Sequence, residues 1–216
     1  MKDALKIGYF CTGEQLDSLT HLNADLILVS SKVFPPIFYK RELSGADENV
    51  YRMGKFARKF NCPVIIAVKS DNFGITRRSA AVFQGGTLLA VVDAVTPFDK
   101  SEAPSFGYSV IKTAIGKIGI AVSKDIADTD CLKALTLCKS ELIIDPYADI
   151  YDFSLSNLVP TVSYITGLPC VALGDGKCVS ASSSGKLIYC SKKESGVFIL
   201  PTKKVMRQKI INTYSN

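Results

Sequence analysis

The sequence has 216 residues, is 47% apolar and carries a formal net charge of +6, which suits one domain over residues 1–216 with a sizeable core. No run approaches the roughly 18 apolar residues of a membrane span, and Met1-Lys2-Asp3-Ala4-Leu5-Lys6 lacks a signal peptide's apolar stretch; a soluble cytoplasmic protein with no membrane partner is expected. The seven cysteines form no CxxC pair and mostly lie in apolar runs such as Pro169-Cys170-Val171-Ala172-Leu173, which speaks against a disulfide framework and a zinc site, so no metal or cofactor is expected.

The basic residues are scattered, with modest clusters at Arg52/Lys55/Arg58/Lys59 and Lys203/Lys204/Arg207/Lys209. No aromatic residues alternate with them as a stacking platform would require, so a solvated basic surface is favoured over nucleic-acid binding.

In chain order, Leu5 to Phe10 reads as an opening strand, Glu14 to Leu22 as a helix with Leu16, Leu19 and Leu22 at three-residue spacing, and Ala24 to Ser31 as a second, buried strand. This β-α-β order implies a right-handed crossover. Pro35 to Gly45, with adjacent prolines and mixed charge, reads as a loop. Asp47 to Phe60 reads as a helix whose Met53, Phe56, Ala57 and Phe60 form one apolar stripe opposite Arg52, Lys55 and Lys59. Asn61-Cys62-Pro63 ends it and Val64 to Val68 is another strand.

Two apolar runs, Ser79 to Phe83 and Leu88 to Val92, flank Gln84-Gly85-Gly86-Thr87 and predict a hairpin. Gly116-Lys117-Ile118-Gly119-Ile120-Ala121-Val122-Ser123-Lys124-Asp125 is a short apolar strand that stops at a polar tripeptide, and strand ends are where α/β proteins place their chemistry. A helix over Asp130 to Ser140 puts Cys131, Leu132, Leu135 and Cys138 at core spacing. Glu141 to Pro146 is a strand, and Phe153 to Ile165 is a helix that Pro160 should kink or break. Leu168 to Leu173, Val179 to Tyr189 and Val197 to Leu200 complete the strands, and Thr202 to Thr213 forms a basic, helical tail. Gly174-Asp175-Gly176 and Gly85-Gly86 read as turns rather than phosphate loops, since neither precedes a helix with Lys-Ser/Thr.

Several of these segments, in this order, resemble the nitrilase (carbon-nitrogen hydrolase) superfamily. Gly119 and Asp125 occupy the fixed positions of its nucleophile strand, with Ser123 where the nucleophilic cysteine stands. Ala24-Asp25-Leu26-Ile27-Leu28-Val29 matches the strand that ends in Pro-Glu, but Ser30 and Ser31 replace that pair, so Ser31 takes the place of the general base. Counting along the hairpin from Gly86 puts Asp93 and Ala94 at the family's Arg-Lys, leaving Ala94 where the catalytic lysine belongs.

The resemblance implies an α/β fold of mixed sheets, a four-layer α-β-β-α sandwich. It also implies a homodimer or higher homo-oligomer using helices over Ala127 to Cys138 and Phe153 to Ile165, and a pocket for a small amide or carboxylate ligand bordered by Lys32, Lys124, Asp125 and Tyr147. In the family the aspartate at Asp125 is mainly structural, holding the loop after the nucleophile.

Hydrolysis of this type needs a nucleophile, a base for its proton and a cation for the developing charge. Ser123, Ser31 and Ala94 supply none of the usual three, and a site of small neutral groups strands no charge. The expectation is a discharged pocket in a catalytically inactive protein with a binding or assembly role; the alternative is an active amidase using Ser123 in a rearranged site. Lys32 and Lys124 adjoin the emptied positions but would point to the opposite strand face. His21 suits a solvated or capping role, and Cys131 and Cys138 suit core packing rather than a displaced nucleophile.

Overall fold

A computed structural model describes residues 1–13, 22–148, 152–174 and 176–203. The expected helix over Glu14 to Leu22, with His21, and the basic tail beyond Lys203 fall almost wholly outside these residues. The strands are β1 (Ala4–Phe10), β2 (Leu26–Val29), β3 (Ile37–Phe38), β4 (Pro63–Asn72), β5 (Ile75–Gln84), β6 (Thr87–Asp93), β7 (Ser109–Thr113), β8 (Gly116–Ile120), β9 (Leu142–Asp145), β10 (Cys170–Gly174), β11 (Lys177–Ala181), β12 (Leu187–Ser191) and β13 (Ser195–Pro201). The helices are α1 (Tyr39–Leu43), α2 (Asn49–Arg58), α3 (Thr129–Leu137) and α4 (Asp152–Thr166), with a 3-10 turn over Ser123–Ala127. None of the described helices is long and apolar enough to cross a membrane.

Two mixed sheets result. One runs β13-β1-β2-β4-β5-β6 with β3 beside β4, the other β12-β11-β10-β9-β8-β7. Strand alternation decides how they stack. Leu26, Leu28, Ile65, Ala67, Ala80 and Val82 of the first sheet join Ile118, Ile120, Leu142, Ile144, Val171 and Leu173 of the second in one buried cluster, so these faces pack on each other. The alternate residues Ile27, Val29, Val64 and Ile66 pack instead with Met53, Phe56 and Ala57 of α2. On the far side, Ile143, Cys170, Ala172 and Val179 pack with Cys131, Leu132 and Leu135 of α3 and Leu155, Val159 and Val162 of α4. The layers are therefore α-β-β-α, as expected, and near-continuous apolar runs in the central strands follow from burial on both faces.

Close approach of the layers uses glycine at two places. A Cβ on Gly54 would sit 2.8 Å from the carbonyl oxygen of Gly86, and one on Gly119 would sit 2.7 Å from Ser140 Oγ. The first lets α2 lie against the β5–β6 turn, and the second seats α3 on β8 beside the turn that carries Ser123.

Four sequence expectations need correction. Pro35 to Gly45 is not wholly a loop: Ile37, 1% exposed, pairs with Ser70 as β3, and α1 follows. Strand β4 runs on through Lys69–Asn72 to a second hairpin with β5, pairing Asn72 with Ile75, because backbone pairing continues where the apolar signal has ended. Pro160 leaves α4 unbroken from Asp152 to Thr166, so of the expected kink or break it is the break that fails. A proline inside a helix costs about 3 kcal/mol, and burial of Leu155, Val159 and Val162 on both sides of it, at about 1.5–3 kcal/mol each, outweighs that. Cys138 caps the end of α3 and is exposed, unlike the buried Cys131.

Candidate functional site

The site is built at the C-terminal tips of β2, β6, β8 and β9. Strand β6 is antiparallel to β5, which is antiparallel to β4, so β6 runs with β4 and β2 and presents Ala94 at the same sheet end as Ser31. Strands β8 and β9 are parallel and present Ser123 and Asp145 side by side.

Ser123 opens the 3-10 turn with φ at 59°, a left-handed conformation that costs a non-glycine residue about 1–2 kcal/mol. Its backbone N–H donates to Asp145 Oδ1 at 3.0 Å, an oxygen that also accepts from the Tyr147 N–H at 2.9 Å. Ser123 and Asp145 are both fully buried, and Ser123 Oγ and Asp145 Oδ2 have no hydrogen-bond partner among the described residues. Burial pushes the Asp145 carboxyl well above the usual carboxylate range, with Asp125 adding to the rise, against the lowering effects of its two backbone bonds and of Arg78.

Asp125 ties the two sheets' tips together. Its carboxylate accepts from Val95 N at 2.9 Å and Thr96 N at 2.8 Å, so the turn carrying Ser123 holds the segment that leaves Ala94. That is a wider structural role than holding its own loop. Its carboxyl is also raised, chiefly by burial.

Charged side chains nevertheless lie close to these positions. Ala94 contributes a buried methyl, but its N–H donates to the carbonyl of Arg78 on the adjoining strand. The Arg78 side chain reaches the site from there. Its Nε donates to Glu102 Oε1 at 2.8 Å, with the two side chains only 7% and 3% exposed. The guanidinium carbon lies 3.7 Å from the centre of the Phe98 ring and 4.9 Å from that of Tyr147. Glu102 Oε2 accepts from Phe98 N at 3.0 Å. A guanidinium is planar and delocalised and stacks on aromatic faces; here two rings and one carboxylate hold it.

Among the positions singled out from sequence, then, Ser123, Asp125, Ala94 and Tyr147 fall within one network, closed by Asp145, Arg78 and Glu102. Ser31 is half-buried in the turn after β2, where Ser30 N donates to the carbonyl of Phe10 and Lys32 N to Ser30 Oγ. Lys124 is exposed and its Nζ donates to the Phe98 carbonyl at 2.7 Å, gripping the outside of the loop over Arg78. Strand alternation does not govern Lys32 or Lys124, because both lie beyond the strand ends.

Sequence reasoning missed Arg78, Glu102 and Asp145. Arg78 was within reach of the hairpin register: counting outward from Gly85-Gly86 and allowing the bulge near Val82 puts Arg78 opposite Ala94. Asp145 ends an apolar strand, in the same position as the polar end of β8. Glu102, in an irregular loop 24 residues from its partner, gave no local signal.

No family model and no curated protein matches the sequence. Solved structures do match the fold. A carbon-nitrogen hydrolase from Helicobacter pylori G27 is 16% identical with a TM-score of 0.74, over 91% of this chain and 89% of that one. An amidase from Nesterenkonia sp. is 14% identical with a TM-score of 0.75, over 92% and 90%. A cysteine-to-alanine mutant of the amidase from Nesterenkonia sp. AN1 in complex with butyramide is 15% identical, also at 0.75, over 91% of each chain. The chain has the nitrilase-like fold, and identity this low speaks to fold alone.

Proposed function

On a scaffold shared with nitrilase-superfamily amidases, we propose that this chain holds a small amide or carboxylate ligand at the β8–β9 tips without cleaving it, and acts as a binding or assembly module. The observation that carries this is the state of Ser123. A serine hydroxyl becomes a useful nucleophile only when a base takes its proton, and Ser123 Oγ has no partner among the described residues. Burial raises the Asp145 carboxyl, and its Oδ1 accepts from two backbone N–H groups rather than from the Ser123 hydroxyl. The cation in the site, Arg78, is held by Glu102. Loss of an activating group typically lowers rate by on the order of 10³ to 10⁶.

A second reading, an active amidase using Ser123, draws on one feature. The strained residue at a strand-to-helix junction is the backbone arrangement that exposes nucleophiles in other hydrolases. Ammonia release from a panel of small amides and N-carbamoyl compounds separates the two. The binding reading expects none above background; turnover that disappears in a folded Ser123→Ala variant establishes the hydrolase instead.

Assembly would use the outer helical layer, where Leu137 of α3 and Tyr164 and Ile165 of α4 are 71%, 54% and 66% exposed. A homodimer or higher homo-oligomer is expected, and a monomeric mass by light scattering at all concentrations contradicts it. A cytoplasmic setting fits seven cysteines that are all free.

A further inference from the structure

At the N-terminal ends of β8 and β9, the opposite end of that sheet from Ser123, lies an open pocket of about 410 Å³ lined by Lys112, Thr113, Gly116, Lys117, Lys139 and Glu141. Three ammonium-bearing side chains and one carboxylate therefore share its walls.

The register of the β7–β8 hairpin makes the arrangement specific. Lys112 pairs with Lys117 across the two strands, and directly opposed residues share a face, with Cβ atoms about 4.5–5.5 Å apart. Their neighbours Ile111 and Ile118, also paired, pack between the two sheets, so both lysines lie on the other face, the one on which α3 packs. Like charges directly opposite one another destabilise a strand pair. Among the described residues no ion pair or side-chain hydrogen bond is made by Lys112, Lys117 or Lys139. Glu141 is engaged elsewhere: its Oε2 accepts from the Lys117 backbone N–H at 2.9 Å, and its Oε1 lies 3.6 Å from the amino group of Met1.

Lys139 brings the third charge at a conformational cost. It follows α3 with φ at 62°, and bonds from Lys139 N to Thr136 O and from Ser140 N to Leu135 O close the helix end around it. Glycine is the usual residue at such a position. A cation is favoured near a helix C-terminus, which accounts for one lysine but not for the facing pair.

We infer that this pocket is a binding site for the phosphate chain of a small molecule, whose oxygens bridge the Lys112, Lys117 and Lys139 ammonium groups. Lysine is a compact point charge that suits phosphate without the planar fork of arginine. Three such charges around one opening favour a chain of phosphates over a single one, and an anion between Lys112 and Lys117 turns their repulsion into a shared attraction. The site is separate from the one at the Ser123 tip and does not depend on the reading given to that site.

The test is calorimetric titration of the full chain at low ionic strength with phosphate, pyrophosphate, tripolyphosphate and ATP. Wild type is compared with Lys112→Gln/Lys117→Gln, with Lys139→Gly, and with Arg52→Gln/Lys55→Gln, a pair of exposed α2 residues whose loss lowers the net charge as much as loss of the hairpin pair. Tripolyphosphate is expected to bind at least about tenfold more tightly than phosphate. The hairpin double variant should weaken it at least about tenfold, and the α2 variant should leave it within about twofold. Lys139→Gly removes a charge and the left-handed strain together, so it should lose affinity while unfolding no more easily than wild type. Added salt should weaken binding. ATP binding more tightly than tripolyphosphate identifies a nucleotide as the source of the chain, and equal or weaker ATP binding a free polyphosphate; either supports the site. No tripolyphosphate binding at low salt, phosphate binding as tightly, indifference to salt, unchanged affinity in Lys139→Gly, or equal weakening by the two double variants overturns it.

Discussion

The backbone N–H of Ser123 donates to Asp145 Oδ1 at 3.0 Å, while Ser123 Oγ and Asp145 Oδ2 are buried without a partner among the described residues. Backbone geometry and side-chain chemistry are thus separated. The carboxyl fixes where Ser123 sits and in what strained conformation, yet does not accept its hydroxyl proton.

That strain is measurable. Glycine adopts φ near 59° without the Cβ penalty, whereas alanine retains it. Ser123→Gly is expected to be about 1 kcal/mol more stable than Ser123→Ala by urea denaturation. Equal stability would mean that the left-handed conformation is not strained.

The Asp145 carboxyl gives an inverse pH dependence. Its folded value lies above its unfolded one, so between the two the folded state binds more protons and stability falls as pH rises, by up to about 1.4 kcal/mol for each pH unit. Below the unfolded range the penalty is absent. Asp145→Asn keeps the acceptor for Ser123 N and Tyr147 N and should flatten the stability profile over that window. An unchanged slope would show that another group is responsible.

The Arg78–Glu102 pair makes a prediction of opposite character. Removing one partner by Glu102→Ala strands a buried guanidinium and should cost about 3–5 kcal/mol, whereas replacing both with apolar residues of similar volume should cost far less. A double variant as unstable as the single one would mean that Arg78 contributes chiefly through its stacking on Phe98 and Tyr147.

Asp125 should be legible in hydrogen exchange. Asp125→Ala removes the acceptor for Val95 N and Thr96 N, so those two amides should exchange faster by orders of magnitude while the amides of β5 paired to β4 stay protected. Protection kept at both positions would mean that the segment after Ala94 is held by other contacts.

The layered fold could be read from the chain because its central strands are apolar runs buried on both faces. Leu26–Val29, Leu142–Asp145 and the run 118–122 stood out for that reason, and the last of them led to Ser123. What escaped was polar and paired. Lys69–Asn72 belongs to β4 through backbone bonds, which leave no apolar mark. Glu102 lies in a loop whose place over Arg78 is set by the Asp125 tie and by a salt bridge across 24 residues, and local pattern carries no trace of either. Neutral residues at Ser31, Ala94 and Ser123 suggested an uncharged pocket. Charge arrives instead from Arg78, one strand over from Ala94, and from the end of β9.

The most direct test of the central claim, that Ser123 is held at a strand tip without the means to attack, is covalent trapping. The protein is incubated with an activated acyl donor such as a nitrophenyl ester, whose nitrophenolate leaves as the acyl group transfers, and its intact mass is read beside that of Ser123→Ala. The account predicts an unmodified mass for both at all times. A single acyl group on the wild-type chain, mapped to Ser123 and missing from the folded variant, would contradict it.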